Sequence, residues 1–151
     1  MADLSRRRFL GASVAAPTLY AAPPPALEIR RGGMIYRRLG QTDLYVSLLG
    51  FGSHTDPAFK RKAAHGYVLT DEGQARRDHL LARALDLGIN LVDTYENEGQ
   101  WEPVARVVKS RRQSTLVSIC RQFPMFVGEN IDRAARLFGY VDLYRIYAGE
   151  G

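Results

Sequence analysis

Four short apolar stretches, separated by segments of helical periodicity, constrain the fold of this chain more than any other feature. They are Leu48-Leu49-Gly50-Phe51-Gly52, Ile89-Asn90-Leu91-Val92-Asp93, Leu116 to Cys120, and Val141 to Tyr147. Short runs of this kind suit strands buried on both faces, as in a parallel sheet covered by helices. Between them, the spacing predicts a helix from Thr70-Asp71-Glu72 to Leu87, with Leu80, Leu81, Ala84 and Leu85 on one face. Thr70 offers a capping hydroxyl, the two acids suit the positive end of the helix, and Gly88 stops it. Pro103 to Lys109 reads as a short helix with its proline in the first turn. Glu129 to Phe138 reads as another, with Ile131, Ala134, Ala135 and Phe138 at helical spacing. The alternation predicts βαβ units and an α/β fold.

Upstream of these units, Ile35-Tyr36-Arg37-Arg38-Leu39 and Leu44-Tyr45-Val46-Ser47-Leu48 flank the turn-forming Gly40-Gln41-Thr42-Asp43, which predicts a β-hairpin. Residues 53–70 have no period and read as a loop. With 151 residues, 46% hydrophobic and 25% charged, the chain is neither globally disordered nor a polytopic membrane protein. A single cysteine, Cys120, excludes an intrachain disulfide and an all-cysteine metal site, and it is expected to be buried and inert. The net charge is +5, of which Arg6, Arg7 and Arg8 against Asp3 contribute +2, leaving about +3 for the rest. Lys60-Arg61-Lys62, Arg76-Arg77 and Arg111-Arg112 are scattered and read as solvated faces, so no nucleic-acid partner is expected.

The chain opens with Ser5-Arg6-Arg7-Arg8-Phe9-Leu10, a weakly apolar stretch from Gly11 to Ala22, and Pro23-Pro24-Pro25. This order resembles a bacterial export signal of the twin-arginine type. A basic amphipathic first helix is the alternative, and Pro17 and the proline run count against it. The expectation is a protein that is periplasmic or otherwise exported by the twin-arginine route, with no membrane span in its mature form. Residues 1–26 would be signal and proline-rich linker, and residues 34–151 one domain.

Tyr36-Arg37-Arg38-Leu39-Gly40-Gln41-Thr42-Asp43-Leu44-Tyr45-Val46-Ser47-Leu48-Leu49-Gly50-Phe51-Gly52-Ser53 resembles the opening of the aldo-keto reductases. Ala84-Leu85-Asp86-Leu87-Gly88-Ile89-Asn90-Leu91-Val92-Asp93-Thr94 resembles that family's first helix and second barrel strand. Gly139-Tyr140-Val141-Asp142-Leu143-Tyr144-Arg145-Ile146-Tyr147 is similar to its fourth strand. The resemblance covers residues 34–147 and implies a partial (β/α)8 barrel, a hairpin plus about four strand-helix units. It also implies NADP(H) as cofactor, small carbonyl or alcohol substrates, and a tyrosine acid supported by aspartate, lysine and histidine at the C-terminal strand ends.

Residue by residue, Asp93 matches the family aspartate. The family tyrosine position holds Glu98, with Tyr95 earlier in the same loop. The lysine position holds Cys120, or Arg121 in a register one residue on, and the histidine position holds Tyr147. Arginine keeps a charge but does not titrate as lysine does. The catalytic candidates are therefore Asp93, Tyr95 and Tyr147, and the cofactor candidates are Gly52, Ser53 and Asp93. Tyr95 also reads as an ordinary loop tyrosine, Tyr147 as a packing aromatic, and His54 as an exposed rim histidine. Glu96, Glu98 and Glu102 match no metal-ligand spacing, so no metal is expected. Phe123-Pro124-Met125-Phe126 could line a substrate mouth or cover the barrel's other half.

A half barrel leaves two open strand edges and one uncovered sheet face. The expectation is completion by a second copy or by a complementary half-barrel chain, or else truncation of a longer reading frame. Two functions stay open. One is an aldo-keto reductase-type oxidoreductase with an incomplete catalytic set. The other is a non-catalytic exported domain for binding or assembly, or an inactive gene fragment.

Overall fold

The computed structural model describes residues 25–64, 66–95, 100–121 and 127–146. The export-signal segment, Glu96, Glu98, the Phe123–Phe126 stretch and Tyr147 lie outside the described residues.

Three antiparallel strands come first: β1 (Glu28–Arg31), β2 (Met34–Arg38) and β3 (Tyr45–Ser47). The predicted hairpin is β2–β3, in the register Tyr36 opposite Ser47 and Arg38 opposite Tyr45. Strand β1 extends it by pairing with β2, which the sequence reading did not foresee. Strand β4 (Gly50–Gly52) follows, shorter than expected, because Leu48 and Leu49 stand exposed before it. Residues 53–70 contain more order than a loop. Pro57–Phe59 forms a 3-10 turn, and β5 (Lys60–Ala63) pairs antiparallel with β6 (Gly66–Leu69). Strand β5 is charged (Lys60-Arg61-Lys62-Ala63) and β6 is a short run, Gly66-Tyr67-Val68-Leu69, without alternation, so periodicity misses the pair.

Helix α1 (Asp71–Asp86) begins where the capping residues place it: the Gly73 amide donates to Thr70 Oγ1 at 3.1 Å. It ends in a Schellman closure, in which Gly88 N–H donates to the Leu85 carbonyl and Ile89 N–H to the Ala84 carbonyl. Gly88 supplies the left-handed backbone there, with φ +92°. Of the four residues expected on its buried face, Leu81 and Ala84 are buried and Leu85 packs beside them, but Leu80 is 58% exposed.

Strand β7 (Leu91–Tyr95) starts two residues later than predicted. The Asn90 side chain explains the shift. It accepts from the Ser47 amide and donates to the Tyr45 carbonyl, both at 2.8 Å, so Asn90 ties the strand's entry to the hairpin. Helix α2 (Trp101–Val108), a 3-10 stretch (Lys109–Ser114), β8 (Leu116–Arg121), α3 (Val127–Phe138) and β9 (Leu143–Ile146) complete the described chain. Pro103 sits in the first turn of α2, as the sequence requires.

Strands β4, β7, β8 and β9 form one parallel sheet in that order. Side chains alternate across it. Val92, Val117 and Ile119 point to one face and are fully buried against Leu81, Trp101, Val104, Val108, Ala134 and Phe138 of the helices. The other face carries Asp93 and Tyr95 of β7, Ser118 and Cys120 of β8, and Arg145 of β9, in registered rows. Ser118 and Cys120 are buried on that face too, and among the described residues β4 and β9 each have one paired edge. The architecture is a partial (β/α)8 barrel with its antiparallel strands at the N-terminal end.

Two arginines expected on solvated faces are instead buried. Arg77 is 6% exposed and Arg112 9%. Arg112 donates from Nε to the Phe138 carbonyl at 2.9 Å, and from Nη2 to the Tyr140 carbonyl at 2.8 Å and to Asp142 Oδ2 at 2.6 Å. It also donates to the Thr115 carbonyl and lies 3.6 Å from the Tyr140 ring centroid. This knot fixes the start of β9 against the start of β8. Arg76, its sequence twin beside Arg77, is exposed and paired with Glu72 as expected.

Candidate active site

Two registered rows build the site. Asp93 stands beside Ser118, and Tyr95 beside Cys120, which in turn stands beside Arg145. The alternation of β7 brings Asp93 and Tyr95 to the same face, two residues apart. Asp93 is the third of five residues in β7, because the strand runs on to Tyr95; the sequence had placed it at the strand's end.

Arg145 reaches across this face. Its Nε donates to Ser118 Oγ at 3.0 Å and its Nη2 donates to Asp93 Oδ1. The guanidinium carbon lies 5.6 Å from the centroid of the Tyr95 ring, and His54 stacks on that ring at 6.5 Å. Burial lowers the Arg145 pKa, but the neighbouring Tyr95 side chain and the Asp93 charge outweigh it, and the net direction is upward. The site therefore holds a fixed cation.

The rim beyond β4 is held from behind. Gly52 pairs with Asp93 and is exposed, and a Cβ built on it would meet no atom within 4 Å. Ser53 donates its amide to the Asp93 carbonyl at 3.0 Å and is 1% exposed, with its hydroxyl bonded to Gln100 Oε1. The same Gln100 oxygen accepts from the Tyr95 amide at 3.2 Å. Arg77 donates to the Ser53 carbonyl at 2.5 Å, to the His54 carbonyl at 2.9 Å and to the Thr55 hydroxyl. No carboxylate accompanies it among its bonded partners, and burial pushes its pKa down. Cys120 is buried, as expected.

The structure thus brings together Asp93, Tyr95 and Gly52, while the Ser53 hydroxyl is turned inward and spent. Sequence reasoning missed Arg145, Ser118, Gln100 and Arg77. Arg145 did leave a signal, since a lone arginine in the apolar run Leu143-Tyr144-Arg145-Ile146 demands a partner. A cavity of about 450 Å³ lies at the opposite end of the sheet, lined by Tyr36, Tyr45, Asn90 and Arg111 among others. Its side chains are engaged in seating the hairpin: Tyr36 bonds the Gly88 carbonyl, Tyr45 the Ala26 carbonyl and Arg111 Asp86. Among the described residues no three His, Cys, Asp or Glu side chains gather in a metal-binding group, and no helix is long and apolar enough to cross a membrane.

No protein-family model matches this chain, and no curated protein does. Solved structures do match it. An aldo-keto reductase from Bacillus halodurans, in its holo form, superposes with TM-score 0.53 and 26% identity, over 76% of this chain and 38% of that one. A protein from Pseudomonas aeruginosa described as a putative aldo-keto reductase gives TM-score 0.57 and 25% identity, over 74% of this chain and 46% of its own. The chain spans less than half the length of either. Its hairpin and its four parallel strands together make an aldo-keto reductase-like fold, present as part of the barrel.

Proposed function

We propose that this chain is half of an exported NADP(H)-dependent carbonyl or alcohol oxidoreductase of the aldo-keto reductase type. It works when the remaining barrel strands come from further sequence, a complementary half-barrel chain or a second copy. The observation that carries this reading is the common placement of Asp93 and Tyr95 on the face of the parallel sheet opposite the helix-packed core.

The residues present fit the cofactor at its nicotinamide end. The open space over Gly52 leaves room for a flat ring beside Asp93. When bound, NADPH supplies the hydride that reduces a carbonyl carbon. This chain contributes the proton, held on the Tyr95 hydroxyl for the carbonyl oxygen. Asp93 balances the charge on that face, and Arg77 and Gln100 fix the rim that the substrate crosses.

Fluorescence titration of the full chain with NADPH, alongside its molar mass and aldehyde-dependent NADPH consumption, tests the reading. Micromolar binding by a closed assembly, with turnover abolished in Tyr95→Phe, is the expected result. A chain that neither binds nor turns over in any defined assembly refutes it. That outcome would favour a non-catalytic binding or assembly domain, a reading supported by the buried, engaged Ser53 hydroxyl.

A further inference from the structure

Arg145 of β9 is bonded to Ser118 of β8 and to Asp93 of β7, and its guanidinium carbon lies 5.6 Å from the centroid of the Tyr95 ring. We propose that Arg145 is the positioning residue of this site, holding the Asp93 carboxylate in fixed relation to the Tyr95 ring across β7, β8 and β9. The proposal rests on the oxidoreductase reading for its kinetic consequence and on geometry alone for the positioning itself. Ser118 is 2% exposed, so the Nε end of the guanidinium is anchored in the sheet. The other end reaches Asp93 and lies against the Tyr95 ring. A planar fork with five donors at fixed angles can serve both acceptors together and lie against an aromatic ring, whereas an ammonium is a point charge on a flexible stem.

The Asp93–Arg145 pair is itself partly exposed, 28% and 44% by side chain, so the fold depends little on it. Losing Arg145 should therefore disturb the site without unfolding the sheet. The first readout is the Arg145 Nε–H signal in a 15N spectrum of the full chain. A pinned guanidinium gives a slowly exchanging signal that moves in both Ser118→Ala and Asp93→Asn. The second is kinetic. Arg145→Met should lower kcat roughly 10–100-fold with KM within about twofold. Arg145→Lys should recover only part of it, and added guanidinium ion should partly restore Arg145→Ala. A fast-exchanging Nε–H untouched by both substitutions overturns the proposal, as does unchanged kcat in Arg145→Met. An unsubstituted chain without turnover but with the pinned signal retracts the oxidoreductase reading and upholds the positioning.

Discussion

Replacing Arg112 by methionine should be among the most damaging single changes in this chain. The substitution keeps most of the side chain's length and removes its charge and donors. It leaves the Asp142 carboxylate, 9% exposed, with the Val117 amide at 2.7 Å as its remaining bonded donor among the described residues. The Phe138 and Thr115 carbonyls lose their guanidinium donors as well. Breaking a buried ion pair from one side costs about 3–5 kcal/mol, because the surviving charge stays desolvated. At roughly 4 °C per kcal/mol for a domain of this size, the midpoint should fall by about 12–20 °C. With an urea slope of about 1.5 kcal/mol per molar, that is a shift of about 2–3 M. Urea unfolding followed by circular dichroism measures it directly. The double variant Arg112→Met with Asp142→Leu should be less damaged than the sum of the two singles, because no orphaned charge remains. A loss below about 1 kcal/mol in Arg112→Met would refute the assignment of a buried, charge-compensated knot.

Gly73→Ala tests a close approach. Alanine usually stabilises a helix by about 1 kcal/mol over glycine. Here the new Cβ would stand 2.7 Å from Phe59 Cβ and 2.8 Å from the Phe59 carbonyl, so thermal unfolding should show net destabilisation. Arg77→Met should cost about 1–3 kcal/mol through its lost acceptors and loosen residues 53–55, visible as faster hydrogen exchange at the Ser53 amide. Burial lowers the Arg77 pKa, so the folded chain holds that proton less firmly than the unfolded one. The resulting cost is constant below the folded value and shrinks only as pH rises through it, so this group should add no slope to stability near neutrality. Thr70→Ala should cost about 1 kcal/mol by freeing the Gly73 amide at the start of α1, again measurable by urea unfolding.

The strand-helix alternation, the β2–β3 hairpin and both ends of α1 were legible because each depends on local chemistry. Apolar runs, a turn cluster, a capping threonine and a positive-φ glycine act within a few residues of themselves. Asp93 could be named from its motif for the same reason. The 53–70 hairpin was not legible, since its residues lack the period-two pattern that marks a half-buried strand. The start of β7 was misjudged because a distant segment decides it: Asn90 bonds to Ser47 and Tyr45, more than forty residues earlier.

The arginines mark the boundary most clearly. Arg76 and Arg77 are adjacent and chemically identical, yet one pairs with Glu72 in solvent and the other is buried under the rim of β4. Arg145 looked like a single polar residue in an apolar strand until the sheet register set Ser118, Asp93 and Tyr95 within its reach. By itself the sequence determined which segments become strands and helices, because periodicity and capping are written locally. Only the tertiary structure decided which charges are buried and which side chains meet, because strand register and helix packing join residues 24 to 52 positions apart.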